Sequence, residues 1–306
     1  MNIELWSERF CEHLRLLNRS ERTLEAYALE LRLFLGFLVE RGLDDVCEIG
    51  REDVNAYRVK LHEARKKNGE PLAMKTQSTK LTAVFGFIRY LYKENFILAN
   101  PVRDMQLPKV PDSLPADLPT EEQVLKLLET PNTSRPQGQR DRSILELLYS
   151  SGLRNTELTS LKIQSLDLRR LEVRVECGKG QKGRIVPMGE PAAAWAETYL
   201  SKVRPHLVRD QSCELLFLNQ WGRPLYRESL VKIVVTHAVA AKLPMKVTPH
   251  ILRHACATHM LARGVGLRHL QQFLGHASSS TTERYTRVEV SDLREVFLRC
   301  HPREAL

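Results

Sequence analysis

The sequence predicts a mainly α-helical protein of the α+β type, with two domains and a small β-sheet in the second. Three observations predict it. Apolar residues recur at helical spacing through the first hundred residues, prolines then cluster over residues 101–119, and one later stretch alternates like a strand before a glycine-rich turn. The length of 306 residues and the hydrophobic content of 42% are enough for two packed cores.

Residues 1–101 form the first predicted domain, a unit of four helices. The first helix carries an amphipathic stripe that begins at Leu5, and Ser20 is a suitable N-cap for a second helix that ends near Gly42. A third helix is predicted over about 53–66 and a fourth over about 76–94. Five basic residues could contact phosphates as a group, although each alone is better explained as solvated surface charge: Arg65, Lys66, Lys67, Lys75 and Lys80.

The segment that joins the two domains, residues 102–118, is predicted to be an extended linker. It sustains no helical period, and its prolines favour a semi-rigid chain. The prolines within it and at its ends are Pro101, Pro108, Pro111, Pro115 and Pro119. Thr120 and Gln123 then match a capping box, so the second domain is predicted to occupy residues 119–306.

Most of the second domain is also predicted to be helical. Helices are expected over about 141–149, 192–204, 227–240 and 267–273. A turn containing Gly152 follows the first of these helices, and Arg154 lies at the entry of the next one. Thr248 and Pro249 open a further helix, because threonine is a good N-cap and proline fits the first turn.

A β-hairpin is predicted in the middle of the second domain. Leu171 to Glu176 alternates as a strand, residues 178–183 form a glycine-rich turn, and residues 184–187 lead out of it. The turn is not a P-loop, because the Gly-x-x-x-x-Gly-Lys-Ser/Thr spacing is absent and no helix follows.

The most informative residues lie near the C-terminal end. His250 and Arg253 are three residues apart on one predicted helix and therefore share a face. Gly275 suits the left-handed cap of the next helix, and His276 follows it. With Tyr285 beyond them, this stretch combines phosphate-binding donors with a hydroxyl that can attack phosphorus.

This signature resembles that of the tyrosine recombinases, the family of phage integrases and bacterial Xer proteins. The resemblance covers nearly the whole chain. It implies a SAM-like core-binding fold for the first domain and the tyrosine-recombinase catalytic fold for the second. The family's Gly-Leu-Arg-x-x-Glu-Leu motif matches residues 152–158 and marks Arg154 as the first active-site arginine. The family's catalytic lysine lies in the hairpin turn, which indicates Lys179, with Lys182 as the alternative. The compact length is closest to the Xer-type proteins.

Six residues match the catalytic residues of the resembled family, and together they imply a way to cut DNA. They are Arg154, Lys179, His250, Arg253, His276 and Tyr285. The arginines and His276 would neutralise the charge of the transition state, and Tyr285 would attack phosphorus. His250 would take the proton of the phenol, and Lys179 would protonate the leaving 5′ oxygen. The product would be a 3′-phosphotyrosine bond, which can be rejoined without ATP, metal or cofactor.

A zinc site is the alternative for the histidines of this stretch. His250 and His254 are four residues apart on one helix, a spacing that can bind zinc. Cys256 points away from His250, however, and no acidic or cysteine partner is spaced to complete a site. We therefore expect no metal, and we interpret His254 and His259 as structural or supporting groups.

The resemblance also implies the partners. Residues 290–292 are predicted to cap a last helix, whose apolar face could pack on its own core. In the resembled family such a segment docks on a neighbouring protomer, so we expect a homo- or hetero-tetramer on double-stranded DNA with an inverted-repeat core site. A non-catalytic DNA-binding protein of the same fold and a type IB topoisomerase are the alternative functions. The biological role stays open between chromosome dimer resolution and recombination of a plasmid, transposon or phage.

Charge and cysteine content agree with a DNA-binding protein of the cytoplasm. The net charge is +9, and residues 111–306 carry 28 basic and 21 acidic residues, which suits a polyanionic partner. The six cysteines show no C-x-x-C spacing and are expected to be reduced thiols. No apolar run of membrane-spanning length and no signal peptide are recognised in the sequence, so a cytoplasmic location without a membrane partner is expected.

Overall fold

The computed structural model describes residues 2–110, 117–176, 183–275 and 296–303. The chain divides into two compact units, Met1–Pro115 and Ala116–Leu306. Helices dominate both units, and a small sheet lies in the second, so the predicted fold class is confirmed. In the part of the chain that the structure describes, no helix is long and apolar enough to cross a membrane.

Four α-helices are described in the first unit. They are α1 (Ile3–Leu16), α2 (Glu21–Glu40), α3 (Arg51–Glu63) and α4 (Met74–Lys93). The predicted cap of α2 is confirmed, because the side chain of Ser20 accepts a hydrogen bond from the backbone N–H of Thr23 at 3.2 Å. The core is aliphatic and aromatic, and the rings of Phe10, Phe87 and Tyr90 pack edge to face or tilted against one another.

Three of the five basic residues predicted to contact phosphates are held by groups of the first unit. The Nζ atom of Lys80 lies 2.6 Å from a carboxylate oxygen of Glu30, and that of Lys66 lies 2.9 Å from Glu70. Arg65 donates to the backbone carbonyls of residues 62–64. Exposed ion pairs such as Lys66–Glu70 are weak because water screens them, so they do not prevent a phosphate contact, and the predicted group stays a prediction.

Eight α-helices are described between residues 117 and 275 of the second unit, joined partly by tight turns. They are α5 (Glu121–Glu129), α6 (Pro136–Ser151), α7 (Asn155–Ser160), α8 (Glu190–Thr198), α9 (Arg204–Leu207), α10 (Arg227–Ala240), α11 (Pro249–Ala262) and α12 (Leu267–Leu274). Thr120 and Gln123 form the predicted capping box of α5. The helix expected over 192–204 is interrupted, because a π-helical turn, Tyr199–Val203, separates α8 from α9.

A three-stranded antiparallel sheet is described in the second unit. Its strands are β1 (Leu166–Asp167), β2 (Glu172–Val175) and β3 (Arg184–Pro187), in the order β1-β2-β3. The predicted hairpin pairing of β2 with β3 is confirmed, with Glu172 opposite Pro187 and Val175 opposite Arg184. The two-residue β1 was not predicted. Residues 177–182, which include Lys179 and Lys182 of the predicted turn, lie outside the described residues.

The C-terminal segment packs on the core of its own unit. Residues 296–300 are helical, and Phe297, Cys300 and His301 are fully buried. The guanidinium of Arg303 forms an ion pair with Glu146 at 2.7 Å, and the side chain of Glu146 is fully buried. The described residues 296–303 therefore pack on the core of their own chain, whereas the family resemblance implies docking on a neighbouring protomer. The predicted cap at residues 290–292 lies outside the described residues.

Replacing either of two helical glycines by alanine should change stability, in opposite directions. At Gly138, in the first turn of α6, an added Cβ would lie 1.9 Å from the backbone oxygen of Asn132. At Gly36, inside α2, an added Cβ would meet no atom within 4 Å. We expect Gly138→Ala to destabilise the second unit by about 1–3 kcal/mol because of overpacking. We expect Gly36→Ala to stabilise the first unit by about 0.5–1 kcal/mol, because alanine favours a helix.

Urea unfolding followed by circular dichroism measures both changes. A Gly138→Ala protein as stable as the wild type would contradict the close packing of the first turn of α6 on Asn132.

Candidate active site

The first predicted active-site arginine lies directly after a left-handed turn. Gly152 ends α6 with a φ of 55°, and Arg154 is the N-cap of α7. The backbone N–H of Arg154 donates to Oε2 of Glu157 at 2.8 Å, and its guanidinium Nη1 donates to Oε1 at 2.7 Å. Glu157 therefore holds both the backbone and the side chain of Arg154 at the entry of α7.

The carboxylate of Glu157 is shared by three guanidiniums from three parts of the second unit. Arg184, at the start of β3, donates to both oxygens of Glu157, at 2.8 Å and 2.9 Å. Nη1 of Arg253, on α11, lies 3.8 Å from Oε2 of the same carboxylate. With Arg154, these residues surround one negative charge with three positive charges.

The same three guanidiniums cap the C-terminal end of α12. Arg184 donates to the carbonyl of Phe273 at 3.2 Å, Arg253 to that of Leu274 at 2.6 Å, and Arg154 to that of Gly275 at 3.0 Å. The last carbonyls of a helix lack partners within the helix and carry its partial negative charge, so cations are stabilised there. We call this set of contacts the guanidinium cap.

Two glycines allow the guanidinium cap to form. Gly275 adopts a φ of 65°, and an added Cβ would lie 2.8 Å from three atoms of the Arg184 side chain. Gly152 adopts a φ of 55°, and an added Cβ would lie 2.9 Å from the ring of Phe273. The carbonyl of Gly152 also accepts a hydrogen bond from Nη1 of Arg253. Glycine suits both positions, because it populates positive φ freely and leaves room for the approaching side chain.

Burial and neighbouring charges shift the pKa values of Arg253 and Glu157. Burial lowers the pKa of Arg253 to about 10, and the nearby positive charge of Arg154 acts in the same direction. Burial alone would raise the pKa of Glu157, but hydrogen bonds from Arg184 and from the backbone of Arg154 outweigh it and hold that pKa at about 2. Both groups are therefore charged at neutral pH.

The structure brings the two predicted arginines together, and it shows one of the other four residues. His250 is exposed and lies one turn before Arg253 on α11. The remaining predicted residues, Lys179, His276 and Tyr285, lie outside the described residues. His276 directly follows Gly275, whose carbonyl belongs to the guanidinium cap.

Sequence reasoning gave no role to two residues of this site, Glu157 and Arg184. A signal existed for Glu157, because it stands three residues after Arg154, where a carboxylate caps a helix N-terminus. No sequence signal singled out Arg184, since an arginine at the start of a strand is usually a solvated charge. Its partners lie on other elements of the fold.

The histidines that were considered as zinc ligands lie in surroundings that do not form a metal site among the described residues. Among the residues that the structure describes, no group of three or more His, Cys, Asp and Glu side chains could hold a metal ion. Nδ1 of His259 lies 2.8 Å from the hydroxyl of Tyr149, and burial lowers the pKa of this histidine. His254 is exposed, whereas Cys256 is completely buried.

The arrangement suits an anion. Each guanidinium has five N–H donors in a planar fork, and the side chain of Arg154 is still 36% exposed. Three positive charges around one carboxylate leave an excess of positive charge at a site that is partly shielded from water. The oxygens of a phosphate match such forks, because they can accept paired hydrogen bonds from one guanidinium.

Sequence comparisons identify relatives that cover nearly the whole chain. A profile described as the phage integrase family matches residues 119–291, and one described as the phage integrase N-terminal SAM-like domain matches residues 8–95. Tyrosine recombinase XerC 2 of Ralstonia nicotianae is 36% identical over 297 residues, which cover 97% of this chain and 85% of that protein. Tyrosine recombinase XerC of Oceanobacillus iheyensis is 35% identical over 304 residues, which cover 98% and 97%.

Solved structures with the same fold include two DNA complexes. XerH site-specific recombinase bound to difH substrate in a pre-cleavage complex matches with a TM-score of 0.69 and 22% identity, covering 96% of this chain and 82% of that one. The Tn1549 transposon integrase in complex with transposon right end DNA matches with a TM-score of 0.70 and 20% identity, covering 95% and 97%. At these identities the likeness shows the fold alone.

The depressed pKa of Glu157 predicts a defined pH dependence of stability. A carboxyl whose pKa falls from 4.5 in the unfolded chain to about 2 in the fold contributes roughly 3 kcal/mol at neutral pH. This contribution is present above pH 4.5 and is lost as the pH falls from there towards 2. We therefore expect Glu157→Gln to be less stable than the wild type at pH 7, and the difference to shrink between about pH 5 and pH 2.5.

Urea unfolding at a series of pH values measures this difference. Glu197→Gln, at an exposed position on α8, is the matched control and should show a small difference from the wild type that hardly changes with pH. A Glu157→Gln difference that stayed constant across the window would contradict the ion-pair assignment.

Proposed function

The chain belongs to the phage integrase family and is a site-specific tyrosine recombinase, and from this premise we propose how its residues cut and rejoin DNA. DNA is its partner. Tyr285 attacks a phosphodiester in the pocket of Arg154 and Arg253, which forms a 3′-phosphotyrosine bond and releases a 5′ hydroxyl. A 5′ hydroxyl of a second strand then attacks this bond, which rejoins the DNA and frees Tyr285.

One observation carries the proposal. Arg154 and Arg253 are far apart in the sequence, yet both contact Glu157 and both cap the end of α12. Two preorganised guanidiniums at one place can stabilise the charge that develops on the non-bridging oxygens of a pentavalent phosphorus. Such fixed donors need no reorganisation during the reaction, which is why they lower the barrier.

Proton transfers complete the proposed reaction. The phenol of a free tyrosine has a pKa of about 10, so its attack at neutral pH requires a proton acceptor or nearby positive charge. We assign the acceptor role to His250, whose exposed position on the same helix as Arg253 leaves it accessible to DNA. His276 donates a further hydrogen bond to the phosphate, and Lys179 protonates the leaving 5′ oxygen. The scheme requires no metal and no cofactor.

Assembly is the remaining part of the proposal. We expect a homo- or hetero-tetramer on double-stranded DNA with inverted-repeat binding sites, because strand exchange joins two duplexes. In the single chain, Phe297 and Cys300 are buried in their own core. An assembly that uses the C-terminal segment would therefore require these side chains to exchange that core for the core of a neighbour.

The nucleophile is tested by trapping the covalent intermediate. On a DNA substrate with a nick near the cleavage site, the wild type should accumulate a covalent adduct, because the short released fragment diffuses away. Tyr285→Phe should form no adduct and still bind the DNA, because only the attacking oxygen is removed. Tyr226→Phe is the matched control, since Tyr226 is 63% exposed in the same unit and should form adduct like the wild type.

Denaturing gel electrophoresis of the adduct is the measurement. An adduct with Tyr285→Phe would refute the nucleophile assignment. On two intact sites, cleavage without any product that joins them would indicate the topoisomerase alternative, and binding without an adduct in the wild type would indicate a non-catalytic DNA-binding protein.

The general acid is tested with a better leaving group. If Lys179 protonates the leaving 5′ oxygen, Lys179→Ala should cleave ordinary DNA about 10²–10⁴-fold more slowly. A substrate with sulfur in place of this oxygen should restore the rate to near that of the wild type, because a thiolate leaves without a proton. Lys182→Ala is the matched control from the same predicted turn and should cleave both substrates normally.

Single-turnover rates on the two substrates distinguish the lysines. A defect in Lys182→Ala that sulfur removes, with no defect in Lys179→Ala, would transfer the role to Lys182.

A further inference from the structure

Arg184 is the residue of the site for which the proposed reaction supplies no role. Its side chain is only 11% exposed, although arginine at a strand end usually extends into water. The two terminal nitrogens bind the two oxygens of Glu157, and Nε binds the carbonyl of Phe273. Three N–H groups of one fork are thus used within the protein.

These contacts join three elements of the second unit. Glu157 belongs to α7 and in turn holds Arg154, whereas Phe273 belongs to the last turn of α12. Arg184 itself is the first residue of β3. A movement of Arg184 would therefore change the positions of Arg154, of the end of α12 and of strand β3.

We propose that Arg184 is a positioning residue for DNA cleavage, which acts by holding Glu157 and the end of α12 in the arrangement that presents Arg154 and Arg253 to the phosphate. This inference rests on the proposed function. Arg184 acts through its neighbours and is not assigned a contact with DNA.

The geometry requires an arginine. A bidentate pair with a carboxylate uses both terminal nitrogens of the guanidinium, and the third donor, Nε, points in another direction. A lysine ammonium could neutralise Glu157, but a single nitrogen cannot span both the carboxylate and the carbonyl of Phe273 with the same alignment. A glycine at position 275 leaves room for this arginine, because an added Cβ would lie 2.8 Å from the Arg184 side chain.

Single-turnover cleavage of the nicked substrate, at saturating DNA, tests the proposal. Arg184→Gln should cleave about 10- to 100-fold more slowly, because small misplacements of catalytic groups reduce rates by such factors. Arg184→Lys should recover part of the rate, because it restores the charge but not the fork. Arg174→Gln removes the same charge from the exposed face of the neighbouring strand β2 and should cleave within about twofold of the wild type.

A double-mutant cycle shows whether Arg184 acts through Glu157. If it does, the rate loss of the Glu157→Gln/Arg184→Gln protein should be clearly smaller than the product of the two single losses, since both changes break the same ion pair. Independent roles would instead multiply the two rate losses. Multiplied losses would overturn the proposal.

The pH profile provides a readout that a merely structural role would not change. The carboxylate of Glu157 faces Arg154 at the start of α7, Arg184 on β3 and Arg253 on α11. Removal of Arg184 takes away two of its hydrogen bonds, so its pKa rises and the carboxylate is protonated at a higher pH. The part of the acid limb of the cleavage rate that reports protonation of Glu157 should therefore move to higher pH in Arg184→Gln, and to a smaller extent in Arg184→Lys.

The outcomes separate this inference from the proposed function. If the wild type forms no adduct, the proposed function fails. If the wild type forms an adduct and Arg184→Gln cleaves with the same rate and pH profile, only the role of Arg184 fails. A lowered melting temperature of Arg184→Gln with unchanged cleavage would likewise reduce Arg184 to a structural residue. If Arg184→Gln does not fold, the rate and pH profile of Arg184→Lys decide in the same way.

Discussion

The arrangement of the site depends on one buried carboxylate, that of Glu157. Three guanidiniums share the same partners and therefore lie close together. Their positive charges would repel one another strongly in a partly dehydrated pocket. Glu157 offsets part of this repulsion, and the carbonyls at the end of α12 offset more. Neither partner is sufficient alone, because the carboxylate carries one charge and the helix end carries only about half of one.

Arg253 and Arg154 differ in which of these partners, the carboxylate or the backbone carbonyls, they contact more closely. Arg253 is almost completely buried and donates to the carbonyls of Gly152 and Leu274, with Glu157 at the longer distance of 3.8 Å. Arg154 donates directly to Glu157 and remains partly exposed. The backbone thus orients Arg253 without cancelling its charge, and this charge is available to a phosphate.

The sequence predicted the elements whose signals are local. The N-cap of α2, the capping box of α5 and the left-handed glycine after α12 each depend on a few neighbouring residues, and they were found. The pairing of β2 with β3 was predictable for the same reason, since a hairpin joins strands adjacent in the chain. Arg154 and Arg253 were recognised because the family signature specifies them, and not because any local pattern shows that they meet.

What the sequence missed depends on contacts between distant elements. Arg184 reaches Glu157 and Phe273 only in the folded unit, and the two-residue strand β1 exists only because β2 lies beside it. The C-terminal segment was ambiguous for a related reason. Its apolar face must be covered, but an amphipathic pattern is the same whether the covering core belongs to its own chain or to a neighbour.

The same electrostatic balance links the fold of the site to its ligand. Without DNA, three positive charges share one carboxylate, and burial already lowers the pKa of Arg253 to about 10. A phosphate brought among these groups supplies the missing negative charge, so it should favour the folded arrangement over any local opening of it. The positive charge left uncompensated in the free protein is then what makes the pocket complementary to the pentavalent phosphorus, which is more negative than the diester. Cleavage and stability should therefore depend on the same contacts, because the groups that hold the arginines in place cancel only part of their positive charge.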